Sequence, residues 1–249
     1  NQVLEQGCWT PVQYLDLTES DDVAEVNQAG TFWRVNMLSP DGRHCQIIKQ
    51  GPGQNYTKAV IEWSLTGRHN AKNALAAVAA AHHAGVTIST ACDALSQFAS
   101  VKRRMEWLGE VAGIHVYDDF AHHPTAIATT LNGLRQRLSN ESLSRLIAVI
   151  EPRSATMKMG VHQHALADAC IDADHVVWMA GGGNGLDVET IISSSKVPAV
   201  AFQRIEQIVD WLLVNTRTGD HIVLMSNGGF GGIHQKLMAA LQERYMCCE

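Results

Sequence analysis

Ile114-His115-Val116-Tyr117-Asp118-Asp119-Phe120-Ala121-His122-His123-Pro124 is the stretch that decides the fold. Its first four residues form a short, largely apolar run with alternating character, which reads as a strand. Behind it Ile127, Leu131, Leu134 and Leu138 recur at helical spacing, and Pro124 suits a first helical position. A strand therefore passes into a helix through a turn that carries two carboxylates and two imidazoles. In an open α/β sheet such a turn lies at the carboxyl end of a strand, where ligands bind. Carboxylates there can accept ribose hydroxyls or hold a metal through water, and imidazoles can donate to phosphate oxygens. Asp and His also serve as plain helix caps. Four such groups between Asp118 and His123 are more than capping needs.

Downstream the same alternation repeats. Strands are predicted at 114–118, 145–150, 175–180, 198–202 and 221–225, and helices at 125–138, 161–170, 187–194, 205–214 and 232–243. Ile205, Ile208, Val209, Leu212 and Leu213 trace one buried helical face. Strands spaced by helices imply right-handed crossovers and a doubly wound, mostly parallel, Rossmann-like α/β sheet. Upstream the texture differs. Residues 31–50 read as a hairpin turning at Ser39-Pro40-Asp41-Gly42. An alanine-rich helix over 70–84, closed by Gly85, and a second over 90–98 follow it. Residues 1–30 are acidic and weakly patterned. A domain boundary is expected near Ser100, dividing 1–100 from 101–249.

Bulk composition narrows the function classes. With 46% hydrophobic and 18% charged residues, the 249-residue chain reads as globular with a substantial core. A net charge of −6 argues against nucleic acid as a main partner. No apolar run approaches the ~20 residues of a membrane span, so membrane insertion is not expected. Nor does a signal peptide show in the first thirty residues, which lack Lys and Arg. Six scattered cysteines without C-x-x-C spacing suggest reduced thiols of a cytoplasmic protein, with no disulfide framework and no zinc site. The chain starts in mid-pattern at Asn1, as a fragment would.

Three further loops follow predicted strands. Glu151-Pro152-Arg153-Ser154-Ala155-Thr156-Met157-Lys158 offers a guanidinium fork and an ammonium to an anionic ligand. Gly181-Gly182-Gly183-Asn184-Gly185 follows the third strand of the series. Ser226-Asn227-Gly228-Gly229-Phe230-Gly231-Gly232 precedes a helix, where free backbone N–H groups could hold a carboxylate. Neither glycine loop matches a dinucleotide fingerprint or a phosphate loop. Their shared placement at strand ends is the informative feature.

Together these residues resemble the Mur ligases, the ATP-dependent amide-forming enzymes of peptidoglycan synthesis. Gly67-Arg68-His69-Asn70-Ala71-Lys72-Asn73-Ala74 is similar to the family's G-x-H-N-x-x-N-A element, and Arg103-Arg104-Met105-Glu106 to the run that opens its C-terminal domain. Tyr117 to Pro124 resembles the DD-Y-A-H-H-P element of the branch acting directly on UDP-N-acetylmuramate. Glu151 to Ser154, Met157 to His162 and Ser226 to His234 resemble the members of that branch that add a peptide, rather than those that add L-alanine. The family's G-T-x-G-K-T loop and its UDP-sugar-binding domain are absent from this chain. The resemblance thus implies the end of a central ATPase domain in 1–100 and a whole C-terminal domain in 101–249.

Roles follow from the resemblance by position. It implies ATP with Mg²⁺, UDP-N-acetylmuramate and the tripeptide L-Ala-γ-D-Glu-meso-diaminopimelate as reactants, in peptidoglycan recycling. His69, Asn70 and Asn73 would meet the adenine, while Arg103, Arg104 and Asp119 would hold the ribose. His122 would approach the phosphates, with Asp119 and His122 acting in catalysis. Arg153, Lys158, Ser226, Asn227 and Phe230 would receive the peptide, and no resident metal ligands are assigned. Without the phosphate loop, this stretch alone would be inactive; the alternatives are an L-alanine-adding ligase and a non-catalytic nucleotide- or peptide-binding domain. On this reading Asp119→Ala should slow turnover while sparing stability.

Overall fold

The computed structural model describes residues 7–8, 10–16, 31–51, 55–138, 144–153, 163–180 and 186–246. Contacts divide the chain into two units, Asn1–Ala99 and Ser100–Glu249.

The first unit carries a four-stranded sheet ordered β1 (Gln13–Asp16), β2 (Thr31–Met37), β3 (His44–Gln50), β4 (Tyr56–Glu62). β1 runs parallel to β2, and the other pairs are antiparallel. The expected hairpin is β2–β3. At its turn the Ser39 hydroxyl donates to Asp41 at 2.6 Å, and Gly42 adopts φ +78°, which an L side chain resists. Helices α1 (Arg68–His83) and α2 (Ile88–Ser96) follow. Ala71, Ala74, Leu75 and Val78 of α1 pack with Trp33, Ile47 and Ile61 of the sheet, and small alanines let the backbone come close. Gly85 at φ +96° ends the first helix, its N–H and that of Val86 reaching back to the carbonyls of His82 and Ala81. α2 begins two residues before its predicted start, because the Thr87 hydroxyl accepts the Thr90 N–H and fixes an earlier cap.

The second unit runs β5 (Glu106–Val111), β6 (Ile114–Asp119), α3 (Pro124–Arg137), β7 (Arg145–Ile150), α4 (Gln163–Ala169), β8 (His175–Met179). It continues α5 (Val188–Ser194), β9 (Ala199–Phe202), α6 (Ile205–Asn215), β10 (Asp220–Met225), a 3-10 turn (Phe230–Gly232) and α7 (Ile233–Met246). Its six strands lie in the order β5-β6-β10-β7-β8-β9. All neighbours are parallel except the edge strand β5, which lies antiparallel to β6.

Strand periodicity sorts the core into two layers. Leu146, Ala148 and Ile150 of β7 face the layer of α3, α4 and α5. Ile147 and Val149 face that of α6 and α7. Full burial of one such Leu or Ile contributes about 1.5–3 kcal/mol, so both layers hold the sheet firmly. The expected doubly wound, mostly parallel α/β sheet is what forms.

One detail of strand order positions the site. β10 inserts between β6 and β7. The chain leaves β6 toward the α3 layer and leaves β10 toward the α7 layer. The connections part company there, and in open α/β sheets this switch point is where a ligand crevice lies at the carboxyl ends of the strands. No helix among the described residues is long and apolar enough to cross a membrane.

Candidate functional site

Three strand ends meet at the crevice: Asp118-Asp119 of β6, Ser226 to Gly232 after β10, and Glu151 to Arg153 after β7. They are laced by hydrogen bonds. The Ser226 N–H donates to the Asp119 carbonyl at 3.1 Å, and the Glu151 N–H to the Met225 carbonyl at 2.9 Å. The fully buried Ser226 hydroxyl donates to Glu151 at 2.5 Å and accepts the Gly228 N–H at 2.9 Å. Ser226, expected to touch the peptide, therefore spends its side chain on the loop itself.

Asp119 is 2% exposed. Oδ1 accepts the Ala121 N–H at 2.8 Å and the Thr130 hydroxyl at 3.3 Å, and Oδ2 accepts the Met105 N–H at 2.8 Å. Burial pushes its carboxyl pKa above the ordinary value, against these hydrogen bonds and the nearby charge of Arg104, which pull it down. A ribose hydroxyl would have to displace one of these donors, so the geometry gives Asp119 an organising role in the turn. It does not cap α3. The N-cap is His123, without a side-chain capping bond, and Pro124 takes the first helical position.

Arg103 is committed in the same way. Its guanidinium donates from Nε to Asp118 at 2.9 Å and from Nη2 to the Ser226 carbonyl at 2.7 Å. Arg103 and Met105 stand at φ 61° and 48°, conformations that cost energy and are held by the N–H bonds to Glu106 and Asp119. Arg104 differs. It is exposed, its Cζ lies 5.6 Å from the Phe120 ring centroid, and no described residue hydrogen-bonds its guanidinium. His122 stacks edge-on to Phe120 and lies with Nδ1 2.9 Å from the Phe120 carbonyl. A carbonyl only accepts, so Nδ1 carries the hydrogen and Nε2 is left for a ligand.

Around the loop after β10 the expectations divide. Arg153 is exposed, and its side chain lies across Gly228: a Cβ there would sit 2.5 Å from its Nη1. Arg153 and this loop are thus brought together. Asn227 is half-buried, and its Oδ1 has no hydrogen-bond partner among the described residues. Phe230, expected at the peptide, is 0% exposed and packs in the core with Ile233 and Leu237, so its ring faces no ligand. Two residues near this site went unassigned from sequence. One is Glu151, which holds Ser226. The other is His234, whose Nε2 lies 3.0 Å from Asp118 Oδ1. The sequence signal for His234 was its place at the end of the Ser226–His234 stretch, where it was given no role of its own. Lys158 and the 181–185 loop fall outside the described residues.

In the first unit, Gly67 at φ +90° starts α1. The Asn70 side chain donates to the Thr66 carbonyl at 2.7 Å and steadies that start. Asn73, one turn on, is exposed and has no bonded partner among the described residues, and His69 is half-buried. Among the described residues no group of three or more His, Cys, Asp or Glu side chains is placed to hold a metal ion. These residues alone do not fit a Mg²⁺ site.

Comparison with known proteins agrees with this architecture. Residues 103–228 match the family profile described as the Mur ligase, glutamate ligase domain. UDP-N-acetylmuramate--L-alanyl-gamma-D-glutamyl-meso-2,6-diaminoheptandioate ligase from Haemophilus influenzae is 39% identical over 97% of this chain and 49% of its own length. The UDP-N-acetylmuramate--L-alanine ligase of Pelotomaculum thermopropionicum is 32% identical over 74% of this chain and 41% of its own. The crystal structure of a murein peptide ligase from Psychrobacter arcticus superposes with a TM-score of 0.67, at 40% identity, over 96% of this chain and 48% of that one. The chain spans about half the length of the curated relatives it matches. By profile, by near-complete alignment and by fold, the chain belongs to the Mur ligase family.

Proposed function

We propose that the chain supplies part of a cytoplasmic ligase that joins L-Ala-γ-D-Glu-meso-diaminopimelate to UDP-N-acetylmuramate at the expense of ATP, in peptidoglycan recycling. Residues 1–100 are the end of its central ATPase domain and 101–249 its C-terminal domain. In this reaction ATP phosphorylates the muramoyl carboxylate to an acyl phosphate, releasing ADP. The alanyl amine attacks the acyl carbon, and the tetrahedral intermediate expels phosphate. Mg²⁺ would enter with the nucleotide and supply charge compensation there, and none of this chain's described residues is assigned to hold it.

This chain's own residues bind and orient. Asn73, with Asn70 and His69 beside it, meets the adenine, while Arg104 and the bare Nε2 of His122 meet ribose and phosphate. Asp119 and Arg103 hold the turn that presents them. Arg153, with Lys158 and the 226–232 loop, receives carboxylates of the peptide. One observation carries the choice of acceptor: likeness to the tripeptide-adding relative runs through 97% of the chain, and to the L-alanine-adding one through 74%. The latter likeness keeps L-alanine as the alternative acceptor. The full-length ligase, assayed with both, should use the tripeptide and ignore free L-alanine. Faster use of L-alanine would overturn the assignment.

A further inference from the structure

Buried polar atoms without partners are rare in folded proteins and call for an explanation. Three of them belong to residues at, or in contact with, the carboxyl ends of β6 and β10. Asp118 Oδ1, Asn227 Oδ1 and His234 Nε2 are each buried and make no hydrogen bond among the described residues. Asp118 Oδ1 and His234 Nε2 stand 3.0 Å apart, close enough for an ion pair but out of line for a hydrogen bond. Asp118 is 5% exposed, and its other oxygen is taken by Arg103. β6 and β10 are paired, with Met225 opposite Asp119, so Asp118 and the first residues after β10 share one end of the sheet.

The chemistry of this set selects its ligand. Two of the atoms are oxygens that only accept, one of them on a carboxylate, and the third is an imidazole nitrogen. An anion is repelled by such a group, and an apolar group leaves it unsatisfied. A primary amine, arriving as an ammonium with three N–H donors, satisfies it. Arg153, lying across Gly228 beside Asn227, adds a cation for a neighbouring carboxylate. Amine and carboxylate recognition then stand side by side, as an amino-terminal residue of a peptide requires.

We infer that Asp118, Asn227 and His234 form the seat of the acceptor's primary amine. This inference rests on the acceptor reading given above. The seat positions the acceptor amine through its N–H groups. Polar atoms that make no hydrogen bond among the described residues are then matched when the correct acceptor is present, which favours productive binding over empty closure.

A binding cycle tests it without turnover. Calorimetry on the full-length ligase, with ADP and UDP-N-acetylmuramate present, compares the tripeptide with its N-acetylated form, which lacks the amine. Asn227→Ala and His234→Ala should each weaken the free-amine tripeptide about ten- to a hundredfold. Both should leave binding of the acetylated peptide at its wild-type level. Asp118→Asn keeps the shape while removing the charge, and should show the same selectivity. Equal weakening of both peptides would make these residues supports of the loop, and no change in either would mean that water satisfies the three atoms. Either result overturns the seat. The same cycle with L-alanine and N-acetyl-L-alanine separates the two readings: wild-type binding of L-alanine alone refutes the tripeptide assignment yet still tests the seat. Wild-type binding of neither free-amine acceptor refutes both.

Discussion

Asp119 at the end of β6 and Asn227 just after β10 stand at neighbouring strand ends and treat their polar groups in opposite ways. Asp119 is buried with three protein donors on its carboxylate. Across the crevice, Asn227 keeps a buried oxygen unmatched, and Arg153 lies over Gly228 without a partner among the described residues. Asp119 has spent its hydrogen bonds on architecture, and Asn227 and Arg153 hold theirs in reserve. Motif letters alone rank Asp119 and Asn227 alike. The hydrogen-bond accounting separates them and predicts different consequences of mutation.

The largest effect falls on the spent group. Asp119→Ala strands two backbone N–H groups and a hydroxyl in a buried site, at about 1–3 kcal/mol for each unsatisfied group. A total loss of roughly 3–5 kcal/mol should appear as a lower midpoint in urea or thermal unfolding, contrary to the expectation that stability would be spared. Its pH dependence has a definite sign. The folded pKa is raised above the ordinary 3.8, so the native state binds more protons than the unfolded one between those values. This contribution to stability is fully present below the unfolded pKa and is lost as pH rises through the folded one. Asp119→Asn should flatten that slope. A wild-type slope retained by the Asn variant would show that another group titrates there.

The next effect falls on the reserved cation. A partly shielded guanidinium–carboxylate pair contributes about 1.5–3 kcal/mol, so Arg153→Ala should raise the tripeptide Michaelis constant roughly ten- to a hundredfold. Constants for ATP and UDP-N-acetylmuramate should stay near wild type. Arg153→Lys should rescue only part, because an ammonium cannot form the fork. A parallel shift of all three constants would return Arg153 to the structural class. Gly228→Ala probes the same pair from the other side. A Cβ would stand 2.5 Å from Arg153 Nη1 and 2.7 Å from its Cδ, pushing the exposed side chain aside. Tripeptide use should fall about tenfold through misplacement alone, with stability changed by less than ~1 kcal/mol.

What the sequence made legible follows the same division. Strands buried on both faces, such as Leu146 to Ile150, announce themselves as continuous apolar runs between turn residues. β4 and β5 escaped notice because they are edge strands with much exposed surface. In β5 the register also slips between Trp107 and Gly109, which breaks the period of two. At the site, strand-end placement was readable for Asp119, Arg153 and Asn227. Side-chain direction was not. Phe230 sits among glycines, as a ligand-facing ring would, yet φ 42° at that residue goes with a ring turned into the core. His234 depends on a contact with Asp118 across 116 positions of chain, a separation no local pattern reports.

The smallest effect carries the same reasoning into the first unit. Asn70 and Asn73 are one helical turn apart and were assigned together to the adenine. Their contacts set them apart. Asn70 Nδ2 already donates to the Thr66 carbonyl at 2.7 Å, tying down the start of α1, whereas Asn73 is exposed with its amide unspent among the described residues. A neutral hydrogen bond contributes about 0.5–1.5 kcal/mol, so Asn73→Ala in the full-length ligase should raise the ATP Michaelis constant about two- to tenfold. Tripeptide constants and unfolding midpoint should hold. Asn70→Ala should lower the midpoint as well, because it frees a carbonyl at a helix terminus whose Gly67 cap has no side chain to help. If Asn73→Ala left the ATP constant untouched while Asn70→Ala raised it, the adenine would be read by the residue that also holds the helix. The spent and the reserved groups would then coincide in this unit, and the contrast drawn at the crevice would not extend beyond it.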